Sequence, residues 1–245
     1  MIFQQFSKRH KLFIFLFGIF LTNAVIAEII GVKIVSIEKS FGFNPLHLPT
    51  FWGTLWDLNQ TAGALNWPIV FIVSDIINDY FGKKGVRFIS YTTAGFIAYS
   101  FIIIYIATLL VPADFWLQSN RGVSNFNINE AFSRIFRQGL GIISGSLLAF
   151  LVSQIADAII FERIKAKTGS KMIWLRATGS TFISQFIDSF LVIGVAFYIF
   201  GNWTVGQWLN VSLNNYLYKF VIAIIFTPLL YIAHHYIERY LQDEN

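Results

Sequence analysis

Residues 180–200 read STFISQFIDSFLVIGVAFYIF, an apolar run about as long as the 20 or so helical residues that cross the hydrocarbon core of a bilayer. Asp188 lies inside this run, and Gln185 precedes it by three residues. An ionised carboxylate that faces lipid costs roughly 2.5–3.5 kcal/mol on insertion scales. The stretch therefore predicts a membrane-spanning helix whose acidic side chain faces the protein interior, a cavity or a partner.

The composition of the whole chain points to an integral membrane protein. Of its 245 residues, 56% are hydrophobic and 13% are charged, which is about half the charged share of a soluble domain. The absence of cysteine excludes disulfides and thiolate metal sites, and the four histidines have no metal-ligand spacing. No Walker A pattern is present, so the chain itself is not expected to be an ATPase. We predict no cofactor and no metal.

Six apolar segments approach or exceed the length that spans a bilayer. We expect a single all-α transmembrane domain over residues 1–245, with spans near 12–36, 66–82, 86–111, 139–161, 173–200 and 215–237. The first segment also resembles a signal peptide with small residues near Ala27. Because its apolar character continues beyond that point, we predict a retained span.

Basic residues lie at alternate ends of the predicted spans, which orients them in the membrane. The loops on one side carry Lys8, Arg9, Lys11, Lys83, Lys84, Arg87, Arg163, Lys165, Lys167 and Lys171. Cytoplasmic loops are enriched in lysine and arginine, so this distribution predicts six helices with both termini in the cytoplasm. It also accounts for the net charge of +5 without a nucleic-acid partner. One of the outer loops is expected to contain a short amphipathic helix at 129–138.

Five acidic residues fall within the predicted spans: Glu28, Asp75, Asp79, Asp157 and Asp188. Asp75 and Asp79 are four apart and share a helix face, where two ionised carboxylates in a low dielectric would repel each other. A proton, a cation or a hydrogen-bond donor is therefore expected between them. The alternative for Asp79 is that it marks the cytoplasmic end of its helix, close to water.

The motif Ser-Gln-x-x-Asp occurs in both the fourth and the fifth predicted span. Its two copies are Ser153, Gln154 and Asp157, and Ser184, Gln185 and Asp188. Consecutive spans run in opposite directions, so the two copies are consistent with an inverted repeat. The alternative is that these groups only join helices through hydrogen bonds. On sequence alone, Asp188→Asn is expected to fold at least as well as the parent, because it removes an expensive charge.

Two further polar residues are candidates for a site. Arg176, at the inner end of the fifth span, either reaches lipid phosphates or pairs with an acid such as Asp157 or Asp79. Asn23 lies in the middle of the first span, where an amide binds cargo or joins two helices.

The segments SDIINDYFGKKGVRF (74–88) and WLRATGSTFISQFID (174–188) resemble the queuosine precursor transporter family, also called vitamin-uptake-like transporters. Its members are six-helix proteins of the bacterial inner membrane. Asp79 stands where the family usually has glutamate, and Phe81 where it has tyrosine. The matching positions are Asn23, Asp75, Asp79, Gly82, Arg87, Trp174, Leu175, Arg176, Ser180, Thr181, Ser184, Gln185 and Asp188.

The resemblance implies import of a queuosine precursor, a 7-deazaguanine base in its cyano or aminomethyl form. One carboxylate can accept the ring N–H and the exocyclic amine of such a base, an amide can satisfy its carbonyl edge, and an aromatic ring can stack on it. Lipid is the other expected partner, and homo-oligomerisation is left open. The candidate binding residues are Asn23, Asp75, Asp79, Gln154, Asp157, Arg176, Gln185 and Asp188.

Two alternatives remain at this stage. The first is a substrate-binding membrane subunit of an ATPase-energised uptake complex, which predicts an exposed small-residue surface, with Ala24, Ala27 and Gly31 as candidates. The second is an intramembrane aspartyl hydrolase that activates water with two carboxylates. The chain lacks a Gly-x-Gly-Asp motif, and we predict that it is not an enzyme.

Overall fold

The computed structural model describes residues 6–50, 53–118, 126–137, 140–169 and 172–242; Lys171 lies outside these ranges. Within them, four helices are long and apolar enough to cross a membrane: Lys8–Ile30, Trp67–Leu109, Ile173–Ile199 and Val205–Gln242. Many large apolar side chains on these helices point outward, as the contact with lipid requires. The chain is therefore an all-α, multi-pass membrane protein, as its composition predicts.

Short strands and helical turns connect the long helices. In chain order the elements are α1 (Lys8–Ile30), β1 (Ile34–Ser36), α2 (Ile37–Ser40), β2 (Leu48–Pro49), β3 (Leu55–Trp56), β4 (Asn59–Thr61), a 3-10 helix (Ala62–Leu65), α3 (Trp67–Leu109), α4 (Asp114–Leu117), α5 (Ile128–Phe136), α6 (Leu140–Thr168), α7 (Ile173–Ile193), a π-helix (Gly194–Ile199) and α8 (Val205–Gln242). The helix α5 lies where the amphipathic helix is predicted. The strand β1 pairs antiparallel with β4, and β2 with β3.

The helix α3 is folded in two at Gly82. A straight helix of its 43 residues would be about 65 Å long, roughly twice the hydrocarbon thickness. Gly82 has φ +67° and ψ −178°, a backbone conformation that is essentially restricted to glycine. A Cβ on Gly85 would lie 3.4 Å from Cγ2 of Ile77, although eight residues of straight helix would separate them by about 12 Å. The chain therefore doubles back, and the halves 67–81 and 83–109 coincide with the second and third predicted spans.

Two helix ends differ from the predicted spans. The helix α1 ends at Ile30 rather than near residue 36, because the following residues form β1 and pair with β4. The helix α8 begins at Val205, well before residue 215. Its first turns are polar, and they are held by hydrogen bonds: the side-chain amide of Asn210 donates to the carbonyl of Leu55 at 2.8 Å. Hydropathy misses this part of α8 because contacts with a loop stabilise it, rather than burial of apolar surface.

The proposed small-residue docking surface on α1 is not exposed. Ala24 and Ala27 are 1% and 3% exposed. A Cβ on Gly63, in the 3-10 helix, would lie 2.4 Å from the carbonyl oxygen of Ala27 and 3.1 Å from Cα of Gly31. The small residues therefore allow two segments of the chain itself to approach closely, and Ala24 and Ala27 do not form the exposed surface that this alternative predicts.

Candidate functional site

The two Ser-Gln-x-x-Asp copies bind each other across the interface of α6 and α7. The hydroxyl of Ser153 donates to Oδ1 of Asp188 at 3.1 Å, and the hydroxyl of Ser184 donates to Oδ1 of Asp157 at 2.9 Å. All four side chains are buried. The serine of each copy thus orients the carboxylate of the other, which gives the helix pair an approximate local two-fold symmetry. The serines join the two helices through hydrogen bonds, which is the alternative given in the sequence analysis. They also hold both carboxylates in place.

The two carboxylates differ in their counterions. Oδ2 of Asp188 lies 2.5 Å from the ammonium nitrogen of Lys219 on α8, and the two side chains are 1% and 5% exposed. The same ammonium lies 4.9 Å from the ring centroid of Trp67. Asp157 has no ion pair with any residue that the structure describes. The buried ion pair with Lys219 is the reason that Asp188 can exist inside an apolar helix.

Asp188 and Lys219 line a cleft between the long helices. The interior of the cleft measures about 60 Å³ and is open at its mouth, so it is narrower than the roughly 300–1,000 Å³ of most small-molecule sites. We call it the outer cleft, after its side of the membrane in the predicted topology, and define it by Glu28, Trp67, Ser146, Asp188, Ser189 and Lys219.

The outer cleft offers hydrogen-bonding groups of both kinds beside aromatic surface. Glu28, which is partly exposed, accepts a hydrogen bond from the hydroxyl of Ser146. The hydroxyl of Ser189 is buried and has no hydrogen-bond partner among the described residues. The ring of Trp67 lies 5.9 Å from that of Phe150, and both line the cleft. Such a site suits a small planar molecule that carries both donors and acceptors.

A second polar site lies towards the opposite end of α7, and we call it the ionic cluster: Asp79, Lys165, Arg176 and His234. Oδ1 of Asp79 accepts hydrogen bonds from Lys165 at 2.6 Å and from Arg176 at 2.7 Å, and Oδ2 lies 3.5 Å from Nε2 of His234. The cluster connects α3, α6, α7 and α8. Arg176 is 2% exposed, so it pairs with an acid instead of reaching lipid phosphates. Arg176 and Asp188 are twelve residues apart on α7, or about 18 Å along the helix.

Four of the predicted site residues lie between the outer cleft and the ionic cluster. Asp75 lines a smaller cavity, and Asp157 binds Ser184 as described above. The side-chain oxygen of Gln154 accepts a hydrogen bond from Ser74 at 3.1 Å, whereas that of Gln185 is buried with no partner in the described part of the chain.

The eight predicted residues do not form one site. Asp188 lines the outer cleft, and Asp79 and Arg176 belong to the ionic cluster. Asn23 donates to the carbonyl of Ile19 in its own helix at 2.9 Å and does not line the outer cleft.

Sequence reasoning missed Lys219. It lies in the apolar segment NNYLYKFVIAIIF (214–226). A charged residue within a membrane span indicates a functional or paired side chain, and this argument applies to Lys219 as it does to Asp188. The sequence places Lys165 in a basic loop and Glu28 within the first predicted span, and it indicates no role for either. The parts that Trp67 and His234 play could not be read from the chain, because only the packing brings them to these sites.

Comparisons with known proteins agree on one family. The profile of the family described as "Putative vitamin uptake transporter" matches residues 61–233, a range that includes the Asp188–Lys219 pair. A "Probable queuosine precursor transporter" of Bacillus subtilis (strain 168) is 28% identical over 180 residues, which cover 73% of each chain. A protein of the same description from Haemophilus influenzae is 25% identical over 189 residues, which cover 76% of this chain and 74% of the relative. No solved structure matches.

Proposed function

The chain belongs to the family described as "Putative vitamin uptake transporter", and from this membership we propose that it imports a queuosine precursor, a 7-deazaguanine base, into the bacterial cytoplasm. The proposal is supported by the two relatives, which are both described as probable queuosine precursor transporters. The family is one of transporters and not of enzymes, so the intramembrane hydrolase is set aside.

The observation that carries the proposal is the buried Asp188–Lys219 pair in the outer cleft, with Trp67 beside it. A guanine-like base presents a ring N–H next to an exocyclic amine, and a carboxylate can accept both. Ser153 and Lys219 leave lone pairs free on Asp188, because two carboxylate oxygens offer about four acceptor positions. Lys219 can donate to the carbonyl of the base. The ring of Trp67 stacks on Phe71 and lies under the ammonium of Lys219, so it can border the base with its edge.

We place the protein in the inner membrane with six spans and both termini in the cytoplasm. The basic loops support this topology, as do the two halves of α3 and the apolar helix α6. In this orientation the outer cleft opens to the outside, and the ionic cluster lies at the cytoplasmic end. The structure then corresponds to a state whose cleft faces outward and has to widen to admit the base.

Import in this scheme requires the ionic cluster to open. The base binds at Asp188 and then moves along α6 and α7 past Gln185 and Asp157, which lie at intermediate depth. Separation of Asp79 from Arg176 at the far end releases the base into the cytoplasm. Alternating access of this kind opens one end of a transporter while the other is closed. Asn23 and Asp75 remain predicted contacts of the base on this path.

The test uses a bacterium that cannot make queuosine precursors. Expression of this chain should restore queuosine in its tRNA when a 7-deazaguanine base is supplied at low concentration. Cells that carry the empty vector form the control, and the amount of folded protein in the membrane is measured in parallel. Unmodified tRNA despite abundant folded protein would contradict the proposed function.

A further inference from the structure

The outer cleft contains a second carboxylate to which the binding scheme above gives no role. Glu28 lies on α1, whereas Asp188 and Lys219 lie on α7 and α8. Asp188 already has a cation at 2.5 Å. Glu28 accepts a hydrogen bond from Ser146, and no ion pair reaches it from any residue that the structure describes.

The charges of the outer cleft balance only if Glu28 is protonated or if a ligand brings a positive charge. Its charged lining, in the described part of the chain, consists of Glu28, Asp188 and Lys219. With all three ionised, the cleft carries one net negative charge next to apolar side chains, where an uncompensated charge is unfavourable. A neutral ligand would leave this charge uncompensated and would also remove water from around it. A ligand with one positive charge would balance it.

The position of Glu28 suits a group at the far edge of a bound base. Ser146 binds one carboxylate oxygen of Glu28, and none of the described residues is seen to bind the other, which could accept hydrogen bonds from a ligand. If the guanine-like edge faces Asp188, a substituent on the opposite side of the base points towards the wall formed by α1. A primary amine is protonated near neutral pH, as that of lysine is, and it offers three donors.

We propose that Glu28 determines specificity, making the outer cleft prefer a planar base with a primary ammonium over the neutral form of the same base. Applied to the two precursors, the preference is for the aminomethyl form over the cyano form. This identification of the base rests on the proposed function, whereas the preference for a cation rests on the charges of the cleft.

The experiment measures equilibrium binding of both bases to the purified full-length protein in lipid nanodiscs. The parent protein should bind the aminomethyl base more tightly than the cyano base. Glu28→Gln keeps the size of the side chain and an acceptor for Ser146. It should weaken binding of the aminomethyl base roughly 10- to 100-fold, as expected for the loss of a hydrogen bond to a charged group, and change binding of the cyano base less than about threefold.

Two further variants distinguish charge from structure. Glu28→Asp retains the carboxylate and should keep the aminomethyl base as the preferred ligand. Asp114→Asn removes one negative charge from an exposed position in α4, outside the cleft, and should bind both bases like the parent.

The outcomes separate the two proposals. Binding of neither base by well-folded parent protein would overturn the proposed function. Binding of both bases by the parent, with a preference for the cyano form, would overturn only the role of Glu28. The same holds if Glu28→Gln leaves the ratio of the two affinities unchanged.

Discussion

Replacing Asp188 by asparagine is expected to destabilise the protein, because it leaves the ammonium group of Lys219 buried without its counterion. The two charged atoms lie 2.5 Å apart, and the side chains are 1% and 5% exposed. Sequence alone predicts the opposite, since asparagine removes an expensive charge from an apolar helix. The structure gives a physical reason to expect the reverse, because the charge of Asp188 has a buried partner in Lys219.

The magnitude follows from the burial of the pair. Removing one member of a buried ion pair costs about 3–5 kcal/mol, because the other charge is left uncompensated. Glu28 lines the same cleft and offers partial compensation to Lys219, so we expect a value of about 3 kcal/mol. Replacing both members by uncharged residues is often neutral or stabilising. The double variant Asp188→Asn with Lys219→Met should therefore recover most of the lost stability.

Uptake should behave differently from stability. Both the single and the double variant lack the carboxylate that we propose to bind the base. Each should lose at least about tenfold in affinity, the effect of one lost hydrogen bond to a charged group. The double variant is thus expected to be stable and inactive, which a purely structural role of the pair would not produce.

The assay is reversible chemical unfolding of the purified protein in detergent, combined with uptake of the base by whole cells. The matched control is Glu130→Gln, which breaks an ion pair of similar length with Arg134 on an exposed face of α5. Exposed pairs contribute about 0–1 kcal/mol, so this variant should unfold like the parent. The reasoning is refuted if Asp188→Asn is as stable as the parent, or if the double variant takes up the base normally.

Three further predictions concern the ionic cluster, the fold of α3 and the topology. Arg176→Lys keeps the charge but loses the planar group that bridges Asp79 and a backbone carbonyl, so uptake per folded protein should fall; full uptake would show that charge alone suffices. Gly82→Ala should lower the free energy of unfolding by about 1–3 kcal/mol, because its backbone conformation is strained for alanine; an unchanged unfolding midpoint would contradict this. Reporter fusions should place Lys84 in the cytoplasm and Val205 outside, and a cytoplasmic signal at the second position would rule out the six-span topology.

The presence of several membrane-spanning helices could be predicted from the sequence because the signal is local. A run of about 20 apolar residues spans a bilayer whatever it packs against, since the backbone must satisfy its own hydrogen bonds in lipid. The sequence also predicts a break between the second and third expected spans, and the backbone of α3 leaves helical geometry at Gly82, close to that break. Motif resemblance also identified the family correctly, because its polar residues stand out in apolar sequence. The polar start of α8 was missed, because its stabilising contacts come from a distant loop.

Only the tertiary structure decided which charged and polar groups meet. Asp188 and Lys219 are 31 residues apart, and Asp79 and Arg176 are 97 apart. Their pairing depends on how far each helix is rotated about its axis and on its depth in the membrane. Hydropathy constrains the rotation and the depth of a helix only weakly, because apolar residues lie on every face of most of these helices. The sequence by itself therefore determined that these charges must find partners within the bundle, and helix packing determined that Asp188 lies in an open cleft and Asp79 in a closed ionic cluster.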